Sequence, residues 1–235
     1  MVERERNLTL VAFLRRIFEE LFPFATYLRL RLRVLDELAT VTSGSLPDGP
    51  ILVAIRAYSG AAPADLEEGL ASEQKRGAAL DEKTFKYAAS IATALTIASA
   101  ATTAVAQLLP NSGWKIAVVA FTIPSIVYVT AGGLLGFSAT RTLPMFGTGM
   151  GFAIENKNAS PAMKPAVIAR ALACQERVNL VRVARNEAAF MTIRNGFLCI
   201  VAALSMALYG AMQPTSKDGV IEGKVWHATS HPTNF

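Results

Sequence analysis

The stretch that decides the fold is residues 87–137, YAASIATALTIASAATTAVAQLL-PNSGWK-IAVVAFTIPSIVYVTAGGLLGF. It holds two apolar runs, 87–109 and 116–137, and the only charge between residues 87 and 140 is Lys115 in the linker. A helix needs about 20 apolar residues to cross a hydrocarbon layer. Each run meets that length, and the short linker forces an antiparallel pair. The sequence therefore predicts a transmembrane helical hairpin.

A third apolar run, residues 196–213, ends the ordered part of the predicted fold. No proline interrupts residues 166–212, so we expect one long helix whose first half is a basic cytosolic stalk and whose second half is a third span. The predicted fold class is an all-α membrane protein. Its expected segments are an amphipathic N-terminal region (1–62), a stalk helix with the hairpin (63–137), a cytosolic loop (138–164), the basic stalk with the third span (165–213) and a disordered tail (214–235).

The composition supports a membrane protein. The 235 residues are 52% hydrophobic and 17% charged, whereas soluble domains carry about 25% charged residues. The net charge of +5 is concentrated in residues 138–194, which hold eight Lys and Arg against three Asp and Glu. Basic residues collect on the cytosolic side of membrane proteins. This predicts an inner-membrane protein with a cytosolic N-terminus and an external C-terminus, and it argues against a nucleic-acid partner.

The N-terminal region is less regular. Residues 8–22 have helical spacing of apolar residues, and they either pack on the cytosolic part or lie on lipid with Phe13, Phe18 and Phe22 inserted. Residues 26–38 alternate like a strand, but leucine and arginine favour a helix, which we expect. Residues 51–58 are expected to form a short helix or an extended piece.

The first apolar run is rich in alanine, serine and threonine, which allow close helix packing. It either packs within the chain or forms an oligomer interface or pore lining. The second run contains a proline, which should kink it, and a Gly-x-x-x-Gly pair. The helix-packing candidates are Ser90, Ala94, Thr96, Ser99, Thr103, Pro124, Gly132 and Gly136.

Little chemistry is visible in the sequence. The glycine-rich loop 146–152 follows no strand and lacks the Lys of a phosphate-binding loop, so a flexible or membrane-skimming turn is expected. His227 and His231 have no third ligand nearby, and Cys174 and Cys199 are too far apart on one helix to bridge. We therefore expect no enzyme activity, no cofactor and no metal.

Residues 76–87 read Arg-Gly-Ala-Ala-Leu-Asp-Glu-Lys-Thr-Phe-Lys-Tyr and lead into the first run. This resembles the Arg…Leu-Asp-x-Lys lead-in of small bacterial membrane proteins, including the SLATT and Pycsar-type two-transmembrane effectors of anti-phage systems. The resemblance covers residues 70–212 and implies oligomers that breach the inner membrane. Asp81 and Lys83 match the motif, and with Arg194 they are the predicted interfacial or stalk residues.

Two functions follow as expectations. The first is a structural or interaction protein that forms homo-oligomers in the lipid bilayer or recruits a protein partner on the cytosolic side. The alternative is a pore-forming or membrane-disrupting effector of a bacterial defence or toxin-like system.

Overall fold

The computed structural model describes residues 13, 16–42, 49–107, 109, 113–140 and 143–212, without the side chains at 87–90, 92, 105 and 140. The described chain is helical and contains no strand, which confirms the predicted all-α class. Residues 16–21 are helical and precede six named helices. These are α1 (Pro23–Thr42), α2 (Pro50–Tyr58), α3 (Pro63–Gln107), α4 (Gly113–Phe137), α5 (Gly149–Asn158) and α6 (Lys164–Met212), with a 3-10 turn at Ser138–Thr140.

Proline places several of the helix starts. Helices α1, α2 and α3 each begin with a proline, a residue whose fixed φ suits the first helical position and whose missing N–H costs nothing there. The ambiguous segment 26–38 is helical because Tyr27, Val34 and Leu38 are buried at intervals of seven and four residues. A strand would have buried every second residue instead.

The loop predicted at 138–164 is partly wrong, because it contains the ten-residue helix α5. The turn before α5 depends on Gly147, whose φ of +73° is in the left-handed region. A Cβ at Gly147 would lie 2.4 Å from Leu70 Cδ2, so the backbone also approaches α3 too closely for a side chain. The glycine-rich stretch 146–152 is therefore a tight turn packed on α3 only up to residue 148, and its residues 149–152 form the first turn of α5.

Helix α6 is the axis of the molecule. It has 49 residues, a length of about 70 Å, and it contacts each of the other five helices. Helix α3 runs parallel to it, since Gly69 faces Leu172 and Leu95 packs near Ile200. Helix α4 runs antiparallel to both.

Glycines allow α4 and α6 to approach closely along their length. A Cβ at Gly132 would lie 2.6 Å from Ile193 Cγ1, and one at Gly210 would lie 3.0 Å from Trp114 Cβ. Such small residues are typical of helix contacts inside membranes. Ser125 adds a buried hydrogen bond of 2.9 Å to the carbonyl of Gly196.

The bundle has two halves of different character. We define the apolar half as residues 91–107 of α3, α4, and residues 193–212 of α6. The polar half comprises α1, α2, α5, residues 63–86 of α3 and residues 164–192 of α6. The two halves meet near Arg194, whose Nη2 lies 2.6 Å from Glu20 Oε2 in the N-terminal helical stretch.

Two helices of the described chain are long and apolar enough to cross a membrane, α4 and α6. They contain the second and third of the three predicted spans. The first predicted span, 87–109, lies largely in α3, where several side chains fall outside the description, and it stays a prediction. The predicted tail, 214–235, lies outside the described residues.

Candidate functional site

A row of polar side chains runs along the face of α6 that meets α3. Its members are Gln175, Asn179, Arg182 and Arg185, each at most 3% exposed. They are spaced four, three and three residues apart, which places them on one side of a helix. Buried polar groups require partners, and α3 supplies most of them. We call this set, with its partners on α3, the polar ladder.

Asp81 is the centre of the polar ladder. Its Oδ2 accepts a hydrogen bond of 3.1 Å from Arg182 Nε, and its Oδ1 accepts one from Arg185 Nη2. Arg185 Nη1 also donates to the carbonyl of Ser138, 3.4 Å away, just beyond the end of α4. One partly buried carboxylate therefore pairs with two buried guanidinium groups, and the network joins three segments of the chain.

The lower rungs of the ladder hold the 143–148 turn in place. Asn179 Nδ2 donates to both the carbonyl and the carboxylate of Glu73, at 2.7 Å each. Gln175 Oε1 accepts from the backbone N–H of Phe146 at 3.0 Å, and Gln74 donates to the Phe146 carbonyl at 2.9 Å. The turn is thus bound between α3 and α6 through the backbone of one residue.

Gly77 makes the ladder possible at its midpoint. A Cβ there would lie 2.7 Å from Asn179 Oδ1 and 2.8 Å from Arg182 Nη1. Above it, Thr84 donates to Asn186 Oδ1, and Asn186 donates to the carbonyl of Leu80 at 3.3 Å. A larger residue than glycine at position 77 would displace the ends of these two side chains.

Two further contacts fix α1 and α2 on α6. Arg177 donates to Glu37 Oε2 from Nε and Nη2, at 3.0 and 2.6 Å. The hydroxyl of Tyr58 donates to Glu176 Oε1 at 2.6 Å. Burial, followed by this hydrogen bond to a carboxylate, raises the pKa of Tyr58 to about 12. The polar half is therefore cross-linked by charge-assisted bonds on several sides of α6.

The predicted interfacial residues are not all together. Asp81 lies in the polar ladder, paired with α6 rather than within its own stalk. Lys83 is exposed beside the ladder. Arg194 lies at the junction of the two halves with Glu20, and the neighbouring Asn195 donates to the Glu20 carbonyl at 2.7 Å.

The helix-packing candidates divide between the inside and the outside of the bundle. Gly132 and Gly136 are buried against the rest of this chain. Ser99 is half-buried, and the side chain of Ser90 lies outside the description. Four candidates are exposed, namely Ala94, Thr96, Thr103 and Pro124.

Sequence reasoning missed the ladder residues of α6 and treated the arginines as a solvated basic stalk. A signal was present, because 168, 172, 175, 179, 182 and 186 follow a heptad stripe that changes from apolar to polar at Gln175. Polar residues on the buried stripe of a helix indicate a polar partner helix. The partner itself is about one hundred residues away in the chain and cannot be identified from spacing.

A groove of about 680 Å³ lies beside the ladder, between residues 80–91 of α3 and 183–193 of α6. Most of its lining is apolar, with Lys83, Thr84, Asn186 and Glu187 as polar members. Among the described residues, no three His, Cys, Asp or Glu side chains are grouped to hold a metal ion. Cys174 and Cys199 are free thiols on the same helix, α6. The two histidines of the tail lie outside the described residues.

Comparison with known protein families, characterised proteins and solved structures finds no match to this chain.

Proposed function

We propose that this chain is an integral inner-membrane protein that assembles with further copies of itself and holds a rigid helical scaffold in the cytosol. The observation that carries the membrane part is exposure. In α4 and α6, only 28% of the most apolar 18-residue window is buried in the bundle. A core helix of a soluble protein is mostly buried, so these faces require another apolar environment, and acyl chains provide it.

The exposed apolar residues of α4 extend along the helix over a length that matches a bilayer. Ile116 is 74% exposed near its start, and Phe137 is 56% exposed at its end. These residues are about 32 Å apart along the helix axis, which matches the hydrocarbon thickness of a bilayer. The basic segment 138–194 then lies on the cytosolic side, in accordance with the distribution of positive charge.

Self-association is supported by the outer face of α3. Leu95 and Thr102 are buried against the chain, whereas Ala94 and Ala101, seven residues apart on another face, are exposed. Both side chains are single methyl groups, so a second helix can approach this face closely. Helices in lipid associate through close packing of small residues, because lipid itself offers no hydrophobic drive.

The test enlarges this face. Ala94→Leu with Ala101→Leu should weaken self-association at least tenfold, which corresponds to about 1.4 kcal/mol. The control is Ala120→Leu, the same type of substitution at an exposed alanine of α4, and it is compared with each single variant as well as with the double variant. Oligomer mass is measured by light scattering in mild detergent and in nanodiscs. A wild-type chain that is monomeric in both would rule out the assembly.

The alternative function is a membrane-disrupting effector. Thr93, Thr96 and Thr103 are exposed together on a second face of α3, distinct from that of Ala94 and Ala101. Their hydroxyls would suit a water-filled pore if several copies arranged this second face around an axis. The resemblance of residues 76–87 to effector proteins also favours it. Reconstituted protein should then release a trapped dye from liposomes. Intact liposomes at a protein density that gives full oligomers would exclude this alternative.

A further inference from the structure

The groove between α3 and α6 changes character along its length. Its lower part carries Lys83 and Glu187, just above Leu80 and Val183, and its upper end is formed by Ile91, Phe190 and Ile193. Because the two helices run parallel, their polar residues lie at the same level in the lower part, and the larger apolar surface lies above them. Thr84 and Asn186 form its floor and are already hydrogen-bonded to each other. The groove is therefore amphipathic along its axis.

The groove also lies at the junction of the two halves. Phe190, which is 64% exposed, is four residues before Arg194, whose ion pair with Glu20 marks this level. Phe85 and Phe137 make an edge-on ring contact nearby, with ring centroids 6.4 Å apart, and both are exposed. Exposed phenylalanine and leucine side chains insert at the boundary between headgroups and acyl chains. The apolar end of the groove is thus continuous with the apolar half, and its polar end points toward the cytosol.

We propose that this groove binds one phospholipid of the cytosolic leaflet that carries an amine headgroup. The inference rests on the proposed membrane insertion. The polar end offers one cation and one carboxylate, which complement the phosphate and the ammonium of a zwitterionic headgroup. An acyl chain packs against Ile91 and the exposed ring of Phe190, which gains van der Waals contact. The volume of about 680 Å³ is in the usual range for small-molecule sites.

The test uses native mass spectrometry of the full chain, purified in detergent and titrated with dioleoyl phosphatidylethanolamine or dioleoyl phosphatidylglycerol. We expect one phosphatidylethanolamine per chain to survive detergent washing that removes the remaining lipid, with at least tenfold weaker retention of phosphatidylglycerol. Equal retention of the two lipids, or none of either, overturns the proposal.

Two variants locate the site. Ile91→Trp fills the apolar end and should reduce lipid retention at least tenfold, whereas Ile97→Trp, at a residue 68% exposed and outside the groove, should not. Since Ile91→Trp can disturb folding, Lys83→Glu serves as the second variant, at an exposed position. It should lose retention because it places two carboxylates at the phosphate. Unchanged retention in Lys83→Glu contradicts the headgroup assignment. The same spectra give the oligomer mass, so loss of the oligomer with lipid retained affects only the proposed assembly.

Discussion

Asp81 carries more of the fold than its partly exposed position suggests. It pairs with both Arg182 and Arg185, which are 3% and 1% exposed. Removing one partner of a buried ion pair leaves an uncompensated charge, at a cost of about 3–5 kcal/mol. We therefore expect Asp81→Asn to lower the free energy of unfolding by about that amount, measured by denaturant titration in mild detergent.

The control for this prediction is Asp65→Asn. Asp65 is an exposed acid in the first turn of the same helix, where its interaction with the helix dipole contributes about 0.3–1 kcal/mol. If the two variants unfold at the same denaturant concentration, the ladder does not stabilise the bundle.

Tyr58 predicts a response to alkaline pH. Its pKa is raised to about 12 by burial and by its hydrogen bond to Glu176, so the folded state favours the protonated hydroxyl. The corresponding stability is fully present below pH 10, the ordinary tyrosine value, and it is lost as the pH rises from there to about 12. Tyr58→Phe should lose less stability over that window than the wild type.

The measurement is the unfolding midpoint as a function of pH, with the ultraviolet absorbance of tyrosinate followed in parallel. An identical pH profile in Tyr58→Phe would falsify the assignment of this slope to Tyr58.

At the scale of single residues, the sequence predicts which side chains of α6 are buried better than it predicts the residues with which they pair. The heptad stripe through Gln175, Asn179 and Arg182 could have identified them as inward-facing. It could not identify Asp81 as the partner, because the pairing depends on how α3 lies along α6. The role of Gly77 could not be predicted either, because the need for a glycine there becomes visible only once the position of the Arg182 guanidinium on α6 is known.

Helix α4 has two adjacent glycines, Gly132 and Gly133, and only Gly132 lies against a side chain of α6. A methyl group at Gly132 would meet Ile193 Cγ1 at 2.6 Å, whereas one at Gly133 would meet no atom within 4 Å. Overpacking of this kind typically costs about 1–3 kcal/mol. Gly132→Ala should therefore lower the thermal midpoint in detergent, and Gly133→Ala should leave it unchanged or raise it.

A rescue variant completes this comparison. Shortening the opposing side chain with Ile193→Ala should restore part of the stability lost in Gly132→Ala, because the clash is with that side chain. Additive losses in the double variant would show that the two helices do not meet there.

Whole helices could be predicted where a long apolar or amphipathic pattern marks them. The predicted long helices at 63–109 and 165–212 correspond closely to α3 and α6. Helix α5 was missed because it buries none of its residues, so it has no apolar face for a pattern to reveal. The first predicted span, in α3, stays a prediction and has a mixed character. A run without charge is not the same as a strongly hydrophobic run when alanine, serine and threonine dominate it.

The orientation of the whole molecule is a prediction of its charge distribution. With residues 138–194 in the cytosol, a reporter fused after Met212 should be active only on the external side of the membrane. A fusion placed before residue 16 should be active only inside. The paired fusions check each other, since both on one side would mean that the chain crosses an even number of times.

Because α6 belongs to both halves without a break, it can act as a lever. Over a rod of about 70 Å, a tilt of about five degrees at one end displaces the other end by roughly 6 Å. A change in bilayer thickness, which alters the tilt of membrane helices, would thus displace the far cytosolic end of α6 sideways, without any hinge in between.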